Sequence, residues 1–185
     1  MADIAGLKLI VPSSIANSGG SASIGTNGKV TFSGVTSLSL NGVFSSTYDD
    51  YIVVLRTTSS QGASGYFRLR SSGTDATGSN YVYQYLYVSS TTVEGWRSGA
   101  SNYVYMTING SSTAPVGMHA HIYGPALAQP TAVRSVSVSK EPSDTALYIY
   151  DTATTHSLSS TYDGFTYYVS AGNMSGAIQV FGLSQ

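Results

Sequence analysis

The stretch Tyr81-Val82-Tyr83-Gln84-Tyr85-Leu86-Tyr87-Val88 decides the fold class of this chain. Side chains on a β-strand alternate between its two faces, so the four tyrosines share one face. Val82, Leu86 and Val88 share the other. The same period-two alternation recurs from end to end, and helical periodicity is nearly absent. The stretch therefore predicts a β-strand with one tyrosine face in an all-β protein.

Further short strands are predicted along the whole chain, separated by turns rich in Gly, Asn and Ser. The steps Asn27-Gly28 and Asn41-Gly42 are typical of tight turns. Residues 51–57 are more continuously apolar, which predicts a central strand covered on both faces. In total, about eleven strands are predicted, a pattern typical of an antiparallel β-sandwich or a barrel.

One domain accounts for the length of 185 residues. We predict a short N-terminal arm over residues 1–20 and a single β domain over residues 21–185. Gly19-Gly20 would form the hinge between them. No fixed-period repeat and no second composition regime divides the chain further.

The composition restricts the possible functions. Only 9% of the residues are charged, whereas 42% are hydrophobic and 15 are tyrosines. A typical soluble domain is roughly a quarter charged, so hydroxyls, amides and tyrosine rings must form most of the surface. Such a surface suits a protein that persists outside a cell or that binds sugars. With a net charge of −1 and no basic run, we expect no nucleic-acid partner.

The N-terminal residues do not resemble a secretory signal. No stretch approaches the about 20 apolar residues of a membrane helix. We therefore expect the chain to fold in the cytoplasm where it is made and not to insert into a membrane. The chain contains no cysteine, so it has no disulfide, and we expect no cofactor.

Several segments together resemble a known group of proteins. They are residues 12–24, 28–35, 37–44 and 48–51, the motifs Gly73-Thr74-Asp75 and Ser79-Asn80-Tyr81, and residues 176–182. This succession resembles the small β-rich tail-fibre, tail-associated or decoration proteins of tailed bacteriophages, including those of cyanobacteria and marine bacteria. The resemblance implies a jelly-roll-like β-sandwich on the exterior of a virion, assembled as a homotrimer.

The function that this resemblance implies is that of a tail fibre or receptor-binding protein, which attaches to carbohydrate on the host surface. The apolar residues of the arm would then dock onto another virion protein, because an exposed apolar segment needs a partner. These residues are Ile4, Leu7, Leu9, Ile10 and Val11. One alternative is a capsid decoration protein that clamps the head. A less favoured alternative is a polysaccharide depolymerase.

The candidate receptor contacts are aromatic. Tyr81, Tyr83, Tyr85 and Tyr87 would offer flat rings with hydroxyl tips to a sugar, but a tyrosine face also packs well against another sheet or subunit. We favour packing. Trp96 lies between glycines that place it near a turn, where it would anchor a receptor. A core or inter-subunit position is the favoured alternative.

His119 and His121 are the candidate metal ligands. Residues i and i+2 face the same way on a strand, so three copies around a trimer axis would bring six imidazoles together. Some phage fibre tips use His-x-His in this manner. The favoured alternative is that Met118, Ala120 and Ile122 face the core while both histidines face solvent or a neighbour.

No catalytic motif is present. The sequence has no Gly-x-Ser-x-Gly elbow, no phosphate-binding loop and no His-Glu-x-x-His. Its acids are scattered in turns, where Asp commonly bonds to its own backbone. We therefore expect a non-enzymatic protein.

Overall fold

The structure, a computed structural model, describes residues 6–89, 91–109, 114–140 and 147–183. Within these ranges the chain forms sixteen strands and no helix. Every strand pair is antiparallel, and the strands form two sheets that pack face to face. The predicted all-β sandwich is therefore confirmed. In the described part of the chain, nothing helical is long and apolar enough to cross a membrane.

The larger sheet contains ten strands. In spatial order they are β10 (Thr92–Ser101), β9 (Tyr81–Ser89), β14 (Leu147–His156), β13 (Thr131–Lys140), β12 (Val116–Tyr123), β6 (Asp50–Ser59), β16 (Met174–Leu183), β4 (Val30–Val35) and β3 (Ser21–Ile24). The tenth strand, β1 (Leu7–Ile10), pairs with the C-terminal half of β16. The strand with the tyrosine face, β9, thus lies next to the β10 edge of this sheet.

The smaller sheet contains six strands. In spatial order they are β11 (Val104–Asn109), β7 (Ala63–Ser71), β15 (Gly164–Val169), β5 (Ser37–Asn41) and β2 (Ser14–Ser18), with β8 (Thr74–Asp75) also on β7. Its edge strand β11 lies over β13, β14 and β9 of the larger sheet. Beyond that edge, β10 is exposed along almost its whole length. The larger sheet therefore extends past the smaller one on this side.

The core lies between the two sheets. The smaller sheet contributes Leu38, Leu40, Phe67, Leu69, Phe165 and Tyr167, and the larger sheet contributes Leu55, Met118, Ala120, Ile122, Ile178 and Val180. Strand β6 faces this core with only one side, because its buried residues alternate with partly or fully exposed ones. Val54, for example, is exposed. Within one copy of the chain, the prediction that residues 51–57 are covered on both faces was wrong, since the antiparallel sheet buries only one face of β6 in the core.

Residues 7–18, within the predicted arm, are paired into both sheets. Strand β1 pairs with β16, and β2 pairs with β5. Ile10 packs against the core, whereas Leu7 and Val11 are exposed. Gly19 and Gly20, both with positive φ, connect β2 in the smaller sheet to β3 in the larger one. Ile4 lies outside the described residues, and docking of the arm stays a prediction.

Of the two predicted Asn-Gly turns, the one at Asn27-Gly28 is a tight hairpin turn, whereas at Asn41-Gly42 the chain bends without a tight turn. Gly28 has a φ of +71° between β3 and β4, and the backbone N–H of Lys29 donates a hydrogen bond to Asn27 Oδ1 at 3.2 Å. Gly42, with a φ of +64°, directly follows the end of β5. The prediction of a tight turn is therefore confirmed at Asn27-Gly28, and after Gly42 the chain crosses to β6 in the larger sheet.

Candidate functional site

The tyrosine face of β9 points toward the inside of the sandwich. Tyr81 and Tyr83 are buried, and Tyr85 and Tyr87 are partly buried, whereas Val82, Gln84 and Leu86 are exposed on the opposite face. The predicted division of β9 into two faces is confirmed. Exposure of the tyrosines increases along the strand, because only the start of β9 is fully covered by the smaller sheet.

Tyr81 is a core residue. Its side chain has no exposed surface. The hydroxyl accepts a hydrogen bond from the backbone N–H of Leu69 at 3.0 Å and donates one to the carbonyl oxygen of Ala76 at 3.1 Å. Burial also raises the pKa of Tyr81 well above its usual value. This tyrosine therefore joins the two sheets, as the packing interpretation described, and has no surface for a receptor.

The other three tyrosines of β9 belong to a larger group that we call the tyrosine cluster. Its nine members are Tyr66, Tyr83, Tyr85, Tyr87, Tyr103, Tyr105, Tyr148, Tyr150 and Tyr168. The cluster runs from the edge of the smaller sheet onto the inner face of the larger one. The ring centroids of Tyr105 and Tyr85, which lie on different sheets, are 5.0 Å apart.

The members from β14 and from β11 with the residue before it were missed by the sequence analysis. Tyr103 and Tyr105 are two residues apart, as are Tyr148 and Tyr150, and this spacing is the same period-two signal that marked β9. The sequence does not show that β14 lies beside β9 and that β11, the edge strand of the smaller sheet, lies over it. At this edge of the smaller sheet, Tyr150 is buried by its neighbours Tyr87 and Tyr105.

Next to the tyrosine cluster lies a partly exposed surface that we call the aromatic shelf, formed by Tyr85, Tyr87, Glu94 and Trp96. Trp96 is 61% exposed and is the direct cross-strand partner of Tyr85. Glu94 is the partner of Tyr87. Directly opposed residues of an antiparallel pair project from the same face, so all four side chains share one surface.

The structure contradicts a turn at Trp96 and a core position for it, whereas an inter-subunit position stays a prediction. The flanking Gly95 and Gly99 lie within β10 and do not make a turn, and Trp96 is not in the core of this chain. The strand continues through these glycines because β10 is an edge strand, where small residues need not fill a buried layer. Arg97, the adjacent residue on the strand, projects from the opposite face and does not stack on Trp96.

Charge at the shelf comes from Glu94. The hydroxyl of Tyr87 donates a hydrogen bond to Glu94 Oε2. This hydrogen bond to the carboxylate raises the pKa of Tyr87 to about 12. The pKa of Tyr85 is also raised, mainly by burial. Both tyrosines are therefore neutral at physiological pH, and the carboxylate keeps free lone pairs that can accept further hydrogen bonds.

His119 and His121 lie on the outer face of the larger sheet, as the favoured alternative predicted. Met118, Ala120 and Ile122 are buried on the opposite side. The two imidazole centroids are 6.3 Å apart, and the cross-strand partner of His121 on β13 is the cation Arg134. Within the described ranges, no group of three or more potential ligands is found that could hold a metal. Metal binding across a trimer axis stays a prediction.

Four of the acids make structural contacts. Asp75 forms an ion pair with Arg70, whose guanidinium also donates to Ser39 Oγ at 3.0 Å and Thr166 Oγ1 at 2.8 Å. Other such contacts are Asp151 with Arg134, Asp163 with the backbone of Ser72, and Glu94 with Tyr87. The Arg70 network fixes the segment after β7 to the smaller sheet.

The aromatic shelf has the chemistry to bind a ligand that combines apolar faces with hydroxyl groups. Exposed aromatic rings can stack on apolar C–H faces, and Glu94 can accept hydrogen bonds that are strengthened by its charge. No protein-family model matches the sequence, and no curated protein matches it.

Proposed function

We propose that this protein is a non-enzymatic structural component of a bacteriophage virion. In this proposal it is a tail fibre or receptor-binding protein that attaches the particle to carbohydrate on the host surface. The aromatic shelf is the attachment site. The observation that carries the proposal is the exposed Trp96 beside Tyr85, Tyr87 and Glu94 at the overhanging edge of the larger sheet.

The shelf supports a sugar ligand more than a protein or an ion. A pyranose ring has one face of C–H groups, which fits Trp96, and a rim of hydroxyls, which fits Glu94 and the tyrosine hydroxyl tips. The surface is open and has no deep cavity, so each contact would be weak. Assembly as a homotrimer, with several trimers on one particle, would multiply such contacts into firm attachment.

Among the described residues, the contacts of the acids support a non-enzymatic role. Cleavage of a glycosidic bond by the usual route needs two carboxyl groups about 5–9.5 Å apart, on either side of the bond. At the shelf, Glu94 is bonded to Tyr87, while Asp75 and Asp151 are paired with arginines on other surfaces. A depolymerase would need a second carboxylate beside Glu94.

Binding to purified host-surface polysaccharide tests the proposed site. We expect Trp96→Ala to weaken binding by about 30-fold or more, since exposed tryptophans at binding sites often contribute at least about 2 kcal/mol. Leu158→Ala is the matched control, because Leu158 is 44% exposed in the loop between β14 and β15. Equal binding by wild type and both variants would refute the shelf as the receptor site.

The composition of purified particles tests the proposed location. A tail fibre is expected in a few copies per particle, attached through the N-terminal segment that includes Leu7, Leu9, Ile10 and Val11. Tens to hundreds of copies on the head would instead favour the alternative of a capsid decoration protein. If the protein is missing from particles, the virion proposal fails.

A further inference from the structure

In the C-terminal part of β13, the larger sheet has apolar side chains on its outer face and polar ones on its inner face. On β13, Val136 and Val138 project outward, whereas Ser135, Ser137 and Ser139 are buried inside. A strand that covers a core normally has the reverse pattern, with polar residues on the solvent side. The outer face of this region therefore has the composition of a surface that is itself covered.

The outward apolar residues are continuous across neighbouring strands. Val93, Val88, Ile149 and Val138 are successive cross-strand partners on β10, β9, β14 and β13, and we call them the apolar row. Val93 is 67%, Ile149 51% and Val138 47% exposed. The row leads to Gly117 on β12, the cross-strand partner of Val138.

Gly117 lines a shallow, open hollow at the end of the apolar row. The hollow has a volume of about 750 Å³, and its walls are mostly apolar, including Val54, Val136, Val138 and Ile149. A Cβ atom built on Gly117 would meet only Val138 Cγ1, at 3.7 Å. The space above the backbone is therefore open, and an aliphatic side chain from another molecule could occupy it.

The seven exposed aliphatic side chains of this face supply about two thirds of the apolar area of a standard interface. Seven aliphatic side chains on this face are about half exposed, and they are Val54, Val82, Leu86, Val93, Val138, Leu147 and Ile149. At about 60–120 Å² for each full side chain, they expose about 300 Å² of apolar surface. One partner of a standard interface contributes about 800 Å², of which somewhat more than half, about 450 Å², is apolar.

We propose that a second copy of this chain covers this face. The face contains both halves of a complementary contact: the projecting Val93 on β10 and Leu86 on β9, and the hollow over Gly117 on β12. The hollow is four strands from β10 and three from β9, which at about 4.8 Å per strand is about 14–19 Å. The projecting residues of one copy would enter the hollow of the next, so that each copy supplies what its neighbour lacks.

The charges between these two features are also self-complementary. Arg134 and Asp151 form an exposed two-bond ion pair on β13 and β14, between the projecting edge and the hollow. Because the pair contains one charge of each sign, a copy of the same pair can lie next to it without net repulsion. In the proposed homotrimer, three such faces would turn toward the common axis.

The test measures the molar mass and the self-association constant of the full chain by sedimentation and light scattering. Ile149→Asp places a charge in the middle of the apolar row, and we expect it to weaken self-association by about 30-fold or more. Leu158→Asp is the matched control, with similar exposure outside this face. We expect Gly117→Leu, which fills the hollow, to weaken assembly without a clash inside one copy.

A wild-type protein that stays monomeric at micromolar concentration would overturn the inference, as would an Ile149→Asp variant that assembles like wild type. A dimer that responds to these substitutions would support the covered face but contradict the homotrimer. The inference is separable from the proposed function, because Ile149 faces away from the aromatic shelf. The affinity of a single aromatic shelf for its carbohydrate ligand should therefore be unchanged in Ile149→Asp.

Discussion

Replacement of Tyr81 by phenylalanine removes a hydroxyl from the middle of the sandwich and keeps the ring. In wild type that hydroxyl bonds to the backbone N–H of Leu69 and to the carbonyl of Ala76. The N–H of Leu69 is fully buried, so its lost partner costs about 1–3 kcal/mol, and the second hydrogen bond adds about 1 kcal/mol. We therefore expect Tyr81→Phe to lower the free energy of unfolding by about 2–4 kcal/mol.

For a chain of this length, each kcal/mol corresponds to about 2–4 °C in Tm, so the midpoint should fall by about 4–16 °C. Urea unfolding and calorimetry at one fixed protein concentration measure both quantities. Tyr123→Phe removes a hydroxyl from an exposed ring and should change stability by less than about 0.5 kcal/mol. If both variants are equally stable, Tyr81 does not join the sheets through its hydroxyl.

Two further substitutions test other parts of the account. Gly164→Ala should lower the free energy of unfolding, measured by urea unfolding, by about 3 kcal/mol, because its Cβ would lie 2.1 Å from a carbonyl oxygen of β5. The control Gly99→Ala should leave the stability unchanged, because the space around Gly99 is open. Glu94→Gln should lower the pKa of Tyr87 from about 12 toward 10.0, measured as the difference in tyrosinate absorbance between variant and wild type. Since the pKa of Tyr87 is raised in the folded state, the stabilisation by its hydrogen bond to Glu94 is complete below about pH 10 and is lost as the pH rises through about 12. Identical tyrosine titration curves for the wild type and Glu94→Gln would contradict this hydrogen bond.

Features that depend on local periodicity could be predicted from the sequence. The alternation in residues 81–88 assigned every side chain of β9 to the correct face, and the alternation in residues 118–122 did the same for the histidines of β12. Period two is a property of the strand itself, so it does not depend on which strands lie next to it. The turn at Asn27-Gly28 was predictable because Asn-Gly steps adopt the positive φ that tight hairpin turns require.

Features that depend on the arrangement of the sheets could not be predicted. The continuous apolar run of β6 predicted a strand buried on both sides, but the outer residue Val54 faces a surface that only another molecule could cover. The smaller sheet ends at β11, and no local pattern marks that edge. Because the smaller sheet ends at β11, Tyr83 is covered and buried, whereas Trp96 lies beyond that edge and is exposed on the aromatic shelf.

The central claim is that the aromatic shelf attaches the particle to its host. The most direct measurement is the adsorption rate of particles that contain Trp96→Ala, compared with particles that contain the control Leu158→Ala. We predict that Trp96→Ala slows adsorption about tenfold or more while the particles assemble normally and the control adsorbs like wild type. Equal adsorption rates for all three kinds of particle would contradict the claim.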